Sequence, residues 1–126
     1  MATQLRVLLV EDSGDCASTT ATLLRLYGHD VAIANNGIDA LGKVNAYNPH
    51  VVALDLGLPD MDGLAVARSI KEQATGKSPI MIAITGHGTP EHRRMSAEAG
   101  IAIHLVKPVD PRELEAIFQG LKEAAV

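Results

Sequence analysis

The stretch HVVALDLGLPDMDG, His50 to Gly63, decides how the rest of the chain is read. Its apolar run, Val51–Leu54, stops on Asp55, and a proline, two further aspartates and a glycine follow before the next apolar segment. A continuous apolar run of this length has the texture of a strand buried on both faces. A carboxylate at the end of such a strand is costly unless water, a cation or a chemical role keeps it there.

The same texture recurs on either side. Short apolar runs at Leu5–Val10, Val31–Ala34, Val51–Leu54, Ile80–Thr85 and Ile101–Val106 alternate with helix-length segments. Asn36-Gly37 precedes an apolar stripe of Ile38, Leu41 and Val44. Thr89-Pro90 reads as an N-cap and first helical residue, with Gly100 as the stop. Asp110-Pro111-Arg112-Glu113 reads as a capping signal, opening a helix with Leu114, Ile117, Phe118 and Leu121 on one face. Five strand–helix units predict an α/β fold, a doubly wound (βα)5 parallel sheet with helices on both sides. The pattern fills about 5–121, and residues 1–126 are expected to form a single domain with no linker or internal repeat.

Composition agrees with that expectation and removes several classes of function. The 126 residues are 47% hydrophobic, enough for a real core, but hold one Phe, two Tyr and no Trp, so Val, Ile, Leu and Ala must fill it. The net charge of −4 gives no general attraction to nucleic acid or an anionic membrane. Cys16 is the one cysteine and cannot form an internal disulfide, which suits a reducing compartment. No run approaches the roughly 18 apolar residues of a membrane span. The opening MATQLRVLLVEDSGD lacks the apolar core and cleavage site of a signal peptide. A soluble cytoplasmic location is expected.

Ligands of an open parallel sheet bind outside the carboxyl ends of its strands, where the strand order reverses. The first strand runs into Glu11-Asp12, the third ends on Asp55, the fourth on Thr85, and Lys107-Pro108 follows the fifth. In the order 2-1-3-4-5, the first and third strands are neighbours and three carboxylates converge. Two unit charges about 4 Å apart repel by roughly 4 kcal/mol at an effective dielectric near 20. Such a cluster calls for a cation, and a few hard oxygen donors suit Mg²⁺. Singly, each residue has a plainer reading. Asp12 or Ser13 would cap the next helix, Thr85 would be a β-branched strand residue, and Lys107 a solvated loop charge. Asp60 and Asp62 would make turn and helix-start contacts rather than bind metal. The joint placement at successive strand ends is what the plainer readings leave unexplained.

With these residues in order, the chain resembles the response-regulator receiver domain, the phosphoacceptor module of two-component signalling, from about Leu5 to Leu121. VLLVEDS matches the family's acidic pair at Glu11 and Asp12. Asp55, Leu58, Pro59, Asp62 and Gly63 match its D-x-x-[LM]-P-x-x-[DS]-G run, Thr85 its switch hydroxyl, and Lys107-Pro108 its Lys-Pro pair. The resemblance implies the flavodoxin-like receiver fold, with a cis Lys107–Pro108 bond as is usual in the family. It implies that Asp55 takes a phosphoryl group from a phosphohistidine, on a sensor histidine kinase or a histidine phosphotransfer protein. Mg²⁺ would be held by Asp12, Asp55 and the backbone carbonyl of Gly57, with Glu11 acting largely through water. Lys107 and Thr85 would contact the phosphoryl oxygens. Such a domain promotes only its own phosphorylation and dephosphorylation and is not otherwise an enzyme. Its output would pass through protein contact, with a phosphorylation-dependent dimer among the forms the family takes.

Two departures stand out. The family's aromatic switch, three residues before the conserved lysine, is His104 here, a smaller ring that changes charge near neutral pH. The loop TGHGTP carries Gly86 and Gly88 around His87, at a position that in the family influences the rate of phosphate loss. An edge-strand histidine without a switching role is the alternative for His104. An aspartyl phosphatase would need a second Asp two residues past its nucleophile, where this chain has Gly57. A flavin-binding module would need a first loop that welcomes phosphate, and EDSGD would repel it. Two readings stay open beside the phosphoacceptor: a receiver that docks without being phosphorylated, and the receiver part of a hybrid sensor kinase. HLVKPVDPRELEAI is reminiscent of the latter. No DNA-binding or effector segment is expected after residue 121.

Overall fold

Strands and helices alternate along the chain as β1 (Arg6–Val10), α1 (Gly14–Leu26), β2 (Asp30–Ala34), α2 (Gly37–Tyr47), β3 (Val51–Asp55), α3 (Gly63–Gln73), β4 (Ile80–Thr85), α4 (Pro90–Glu98), β5 (Ile103–Val106) and α5 (Pro111–Ala124). The computed structural model describes residues 4–58, 60, 62–73, 78–86 and 88–124. Pro59 of the family-like run and His87 lie outside the described residues. All strand pairings are parallel, and the sheet order is β2-β1-β3-β4-β5, as expected.

Alternation along each strand divides the interior into two layers. Leu8, Val10, Val52, Leu54, Met81 and Ala83 face one side, where α2 and α3 supply Ala40, Val44, Val66, Ala67 and Ile70. Val7, Leu9, Val51, Ala53, Ile82 and Ile84 face the other, against Ala17, Ala21 and Leu24 of α1 and Leu114 and Phe118 of α5. Both faces of β1, β3 and β4 are therefore covered, which is why their sequences read as continuous apolar runs.

The helix-start signals behave as expected for α4 and α5. Thr89 caps α4, accepting from the His92 N–H, with Pro90 at the helix start. Asp110 Oδ1 accepts from Arg112 N at 2.9 Å at the head of α5, and Ile117 and Leu121 pack partly buried beside Leu114 and Phe118. Gly100 adopts a φ of 91° just past α4, a conformation open to glycine. Two expectations need correction. Ile38 is not part of the inward stripe of α2: it is 69% exposed, while Val44 and Leu41 face the core as expected and Gly37 and Ala40 join them. In the first turn the inward positions are Gly37 and Ala40, which leaves Ile38 facing outward. The fifth strand begins at Ile103 rather than Ile101, because Ile101 donates its N–H to Ser96 O to close the end of α4 (3.0 Å).

No helix among the described residues is long and apolar enough to cross a membrane.

Candidate functional site

The sheet register assembles the site. Val10 pairs with Leu54, so the next residues, Glu11 and Asp55, stand side by side at the carboxyl ends of β1 and β3. Asp55 lies opposite Ile84 of β4 and Thr85 opposite Val106 of β5, which brings the residue after β5, Lys107, to the same rim. Lys107 N donates to Thr85 O at 2.7 Å, and the Lys107–Pro108 peptide is cis. Carboxylate oxygens of Glu11, Asp12 and Asp55 all lie within 4.8 Å of one another. Glu11, Asp55 and Thr85 are buried, at 5%, 7% and 4% exposure, while Asp12 is exposed.

Each buried charge has named partners. Asp55 Oδ1 accepts from Gly57 N at 2.9 Å, and its Oδ2 accepts from Lys107 Nζ at 3.2 Å. Glu11 Oε1 accepts from Ser13 N and its Oε2 from the same Lys107 Nζ, both at 3.2 Å. One ammonium thus bridges two carboxylates and offsets part of the like-charge repulsion at the rim. Burial and the neighbouring Asp55 carboxylate push the Glu11 carboxyl above its ordinary range, although the Ser13 N–H and Lys107 work against them. Burial alone would lower Lys107, but Asp55 and Glu11 more than offset it and hold the ammonium above its ordinary value.

The plainer readings divide among neighbours. Ser13, not Asp12, is the N-cap of α1, accepting from Cys16 N at 3.4 Å, so the Asp12 carboxylate is left to the acidic cluster. Asp62 Oδ1 accepts from Leu64 N at 3.1 Å in the first turn of α3. Asp60 also makes helix-start contacts, but to α2: its two oxygens accept from Gly37 N and Ile38 N at 2.8 and 3.0 Å. Reading along the local sequence missed this link, because it joins positions 22 and 23 residues apart. Gly57 is at the rim with its N–H committed to Asp55. A Cβ added there would sit 3.6 Å from Asp55 Oδ1, an ordinary contact, so no crowding forces glycine at this position.

His104 stands apart from the carboxylates. It lies opposite Ala83 in the β4–β5 register, half-buried, and both its ring nitrogens are buried with no hydrogen-bond partner among the described residues. Burial first, then the charges of Arg93 and His92 on α4, hold its ring below the ordinary histidine range. Beside the acidic cluster, a largely apolar groove of about 550 Å³ runs between α1 and the head of α5, bordered by Glu11, Cys16, Leu23, Lys107, Pro108 and Leu114.

The chain as a whole is similar to known proteins. The response regulator receiver domain family matches residues 7–119. An uncharacterised 14.6 kDa protein of Leptolyngbya boryana is 30% identical over 116 residues, covering 92% of this chain and 88% of that protein. The transcriptional regulatory protein CpxR homolog of Haemophilus influenzae is 35% identical over 116 residues, 92% of this chain but 49% of its own length. The chain thus spans about half the length of the transcriptional regulators it matches. A CheY-like response regulator receiver domain protein from Methanospirillum hungatei superposes with a TM-score of 0.83 at 29% identity, covering 96% of each chain. The chain belongs to the response regulator receiver domain family, the signalling module of two-component systems.

Proposed function

We propose that Asp55 is the phosphoacceptor of this receiver. The observation that carries the reading is the placement of Asp55 Oδ2 3.2 Å from Lys107 Nζ, within a cluster of three carboxylates. An Asp55 oxygen attacks the phosphorus of a phosphohistidine on a histidine kinase or a histidine phosphotransfer protein. The new O–P bond forms as the P–N bond breaks, and the imidazole nitrogen leaves with the electron pair. No proton has to be removed from the nucleophile, since a carboxylate is already ionised.

The acidic cluster fits Mg²⁺: its donors are hard oxygens, few in number and open to solvent at Asp12. Asp12, Asp55 and the Gly57 carbonyl would hold the ion, with Glu11 acting through water. When bound, Mg²⁺ screens the charge of the incoming phosphoryl group and polarises its oxygens. Lys107 exchanges its contact with Asp55 for one with a phosphoryl oxygen, and Thr85 turns its hydroxyl towards another. The added dianion then shifts the loop after β4 and the face around β5, and the change is read by protein contact. We place this activity in one domain spanning about 5–121, working in the cytoplasm.

The test is labelling by a small phosphodonor with and without Mg²⁺. Parent protein should gain one base-labile, hydroxylamine-sensitive phosphoryl group only when Mg²⁺ is present, and Asp55→Asn should gain none. Undiminished labelling of Asp55→Asn at another residue would overturn the assignment. A parent that folds, binds Mg²⁺ and takes no phosphoryl group would favour a docking receiver instead.

A further inference from the structure

Besides the packing of Leu56 and Leu58 on the core, the loop that follows Asp55 is hydrogen-bonded at two places. At its neck, Leu56 N donates to Ile84 O of β4 at 3.4 Å, and Leu56 O accepts from Gly63 N at 3.3 Å. At its far side, Asp60 reaches a separate element, with one oxygen on Gly37 N and the other on Ile38 N. These are the first two amides of α2, groups that a helix cannot satisfy internally and that favour an anion. Helix α2 already has a local cap, because Asn36 Oδ1 accepts from Asp39 N at 2.8 Å. Asp60 therefore adds a charge-assisted, two-point link between the phosphoacceptor loop and a helix on the core side of the sheet.

Gly57 lies between the two anchors. Its N–H is fixed on Asp55 Oδ1, but glycine has no side chain to restrict its own dihedrals. The chain beside it is held by Leu56 and Leu58, both packed partly buried against the core, and further on by the Asp60 link. We propose that Asp60 is a positioning residue for the acidic pocket. By clamping the loop onto the first turn of α2, it fixes the Gly57 carbonyl relative to Asp12 and Asp55 and couples metal binding to α2. The inference rests on the reading of Asp12, Asp55 and the Gly57 carbonyl as the Mg²⁺ site. Coupling is reciprocal, so an ion at the rim must in turn steady the Gly37 and Ile38 amides.

The experiment compares parent, Asp60→Asn and Asp60→Ala for Mg²⁺ affinity by titration and for amide hydrogen exchange at Gly37 and Ile38, well below each melting temperature. The parent should show slower exchange at both amides with Mg²⁺ than without. Asp60→Ala should bind Mg²⁺ roughly five-fold more weakly or worse and lose the Mg²⁺ dependence of exchange. Asp60→Asn, which keeps one acceptor oxygen, should fall between. If Asp60→Ala lowers only the melting temperature and leaves Mg²⁺ affinity at the parental value, Asp60 is a second cap for α2 and the proposal fails. Should Asp60→Ala not fold, the parent's own amides and Asp60→Asn decide the matter: unchanged exchange and unchanged affinity overturn it. A parent that binds no Mg²⁺ overturns the metal-site reading itself, and the proposal with it; a binding parent with indifferent variants overturns the proposal alone.

Discussion

Lys107 Nζ lies 3.2 Å from Asp55 Oδ2 and at the same distance from Glu11 Oε2. The ammonium occupies the charge-neutralising role that a metal would share. Replacing Lys107 with Met should therefore leave Mg²⁺ affinity undiminished or raise it, because a competing positive charge is gone. Labelling of Asp55 should fall in the same variant, since no ammonium remains to meet the phosphoryl oxygens. A Mg²⁺ titration and a labelling time course on one preparation check both halves. A parallel loss of Mg²⁺ binding would mean that Lys107 chiefly holds the carboxylates in place.

Asp12 should behave in the opposite way. Its side chain is exposed and is not the cap of α1, a role that Ser13 fills. Asp12→Ala should fold with little change in stability yet weaken Mg²⁺ binding by more than the roughly 10-fold typical of losing an outer-shell partner. Phosphorylation should slow with it. Parental Mg²⁺ affinity in this variant would remove Asp12 from the metal site.

The sequence was readable where the physics is local or periodic. Continuous apolar runs located the strands, and Asp55, Thr85 and Lys107 stood out because they interrupt or end those runs. The cap at Thr89 and the glycine at 100 were equally plain, since each acts on its own helix. What escaped were contacts made across the chain. Ile38 has the spacing of a core residue, but Gly37 and Ala40 hold the inward positions of the first turn of α2 and Ile38 faces outward. Asp60 looked like a turn residue because its partners, Gly37 and Ile38, precede it by more than twenty positions. The single ammonium shared by Glu11 and Asp55 depends on the β1–β3 and β4–β5 registers together, and no short window of sequence contains both.

Gly63 makes a tight contact within its own loop. A Cβ there would fall 2.5 Å from Leu56 Cα and 2.9 Å from Leu56 O, both backbone atoms that cannot swing aside. Gly63→Ala should therefore lower stability by about 1–3 kcal/mol, the range for overpacking a tight site. Urea melts should show a lower midpoint with an unchanged slope. A midpoint equal to the parent's would mean that the loop neck yields freely.

His29 should give folding a pH dependence. It is buried at 4% exposure between the end of α1 and the strand β2, with its ring 5.4 Å from that of Phe118 on α5. Its Nδ1 has no hydrogen-bond partner among the described residues. Burial, and then the charge of Lys122, hold its folded pKa below the ordinary value of 6.5. The unfolded chain therefore binds a proton at His29 more readily than the folded one. The contribution is fully present above about pH 6.5 and is lost as pH falls towards the lowered folded pKa. Glu11, raised in the folded state, works with the opposite sign on acidification, so the His29 effect is best read as a difference between parent and His29→Leu. Denaturant melts from pH 7.5 downward should show the parent losing stability relative to the variant below about pH 6.5. Parallel curves for the two proteins would assign the acid sensitivity elsewhere.

His104 replaces an aromatic ring of the family, and its surroundings say what an imidazole does there. Both ring nitrogens are buried and without a partner among the described residues, so the neutral ring is the form that fits, and a charged one would leave an unsatisfied cation. The groups acting on it by charge, Arg93 and His92, come from α4 and oppose protonation. At rest, the His104 ring signals should titrate below the ordinary value of 6.5, and Arg93→Ala should move the titration upward by removing one repulsive charge. On the proposed mechanism, phosphorylation of Asp55 would draw Thr85 inward and open space beside β5. A neutral ring can follow into that space, whereas a protonated one loses still more hydration and resists. Activation should therefore lower the His104 titration further, and NMR of the ring signals across pH with and without beryllofluoride reads the change directly. Titration curves that coincide in the two states would make His104 a static member of the edge strand, with the output carried by Thr85 and the loop after β4 alone.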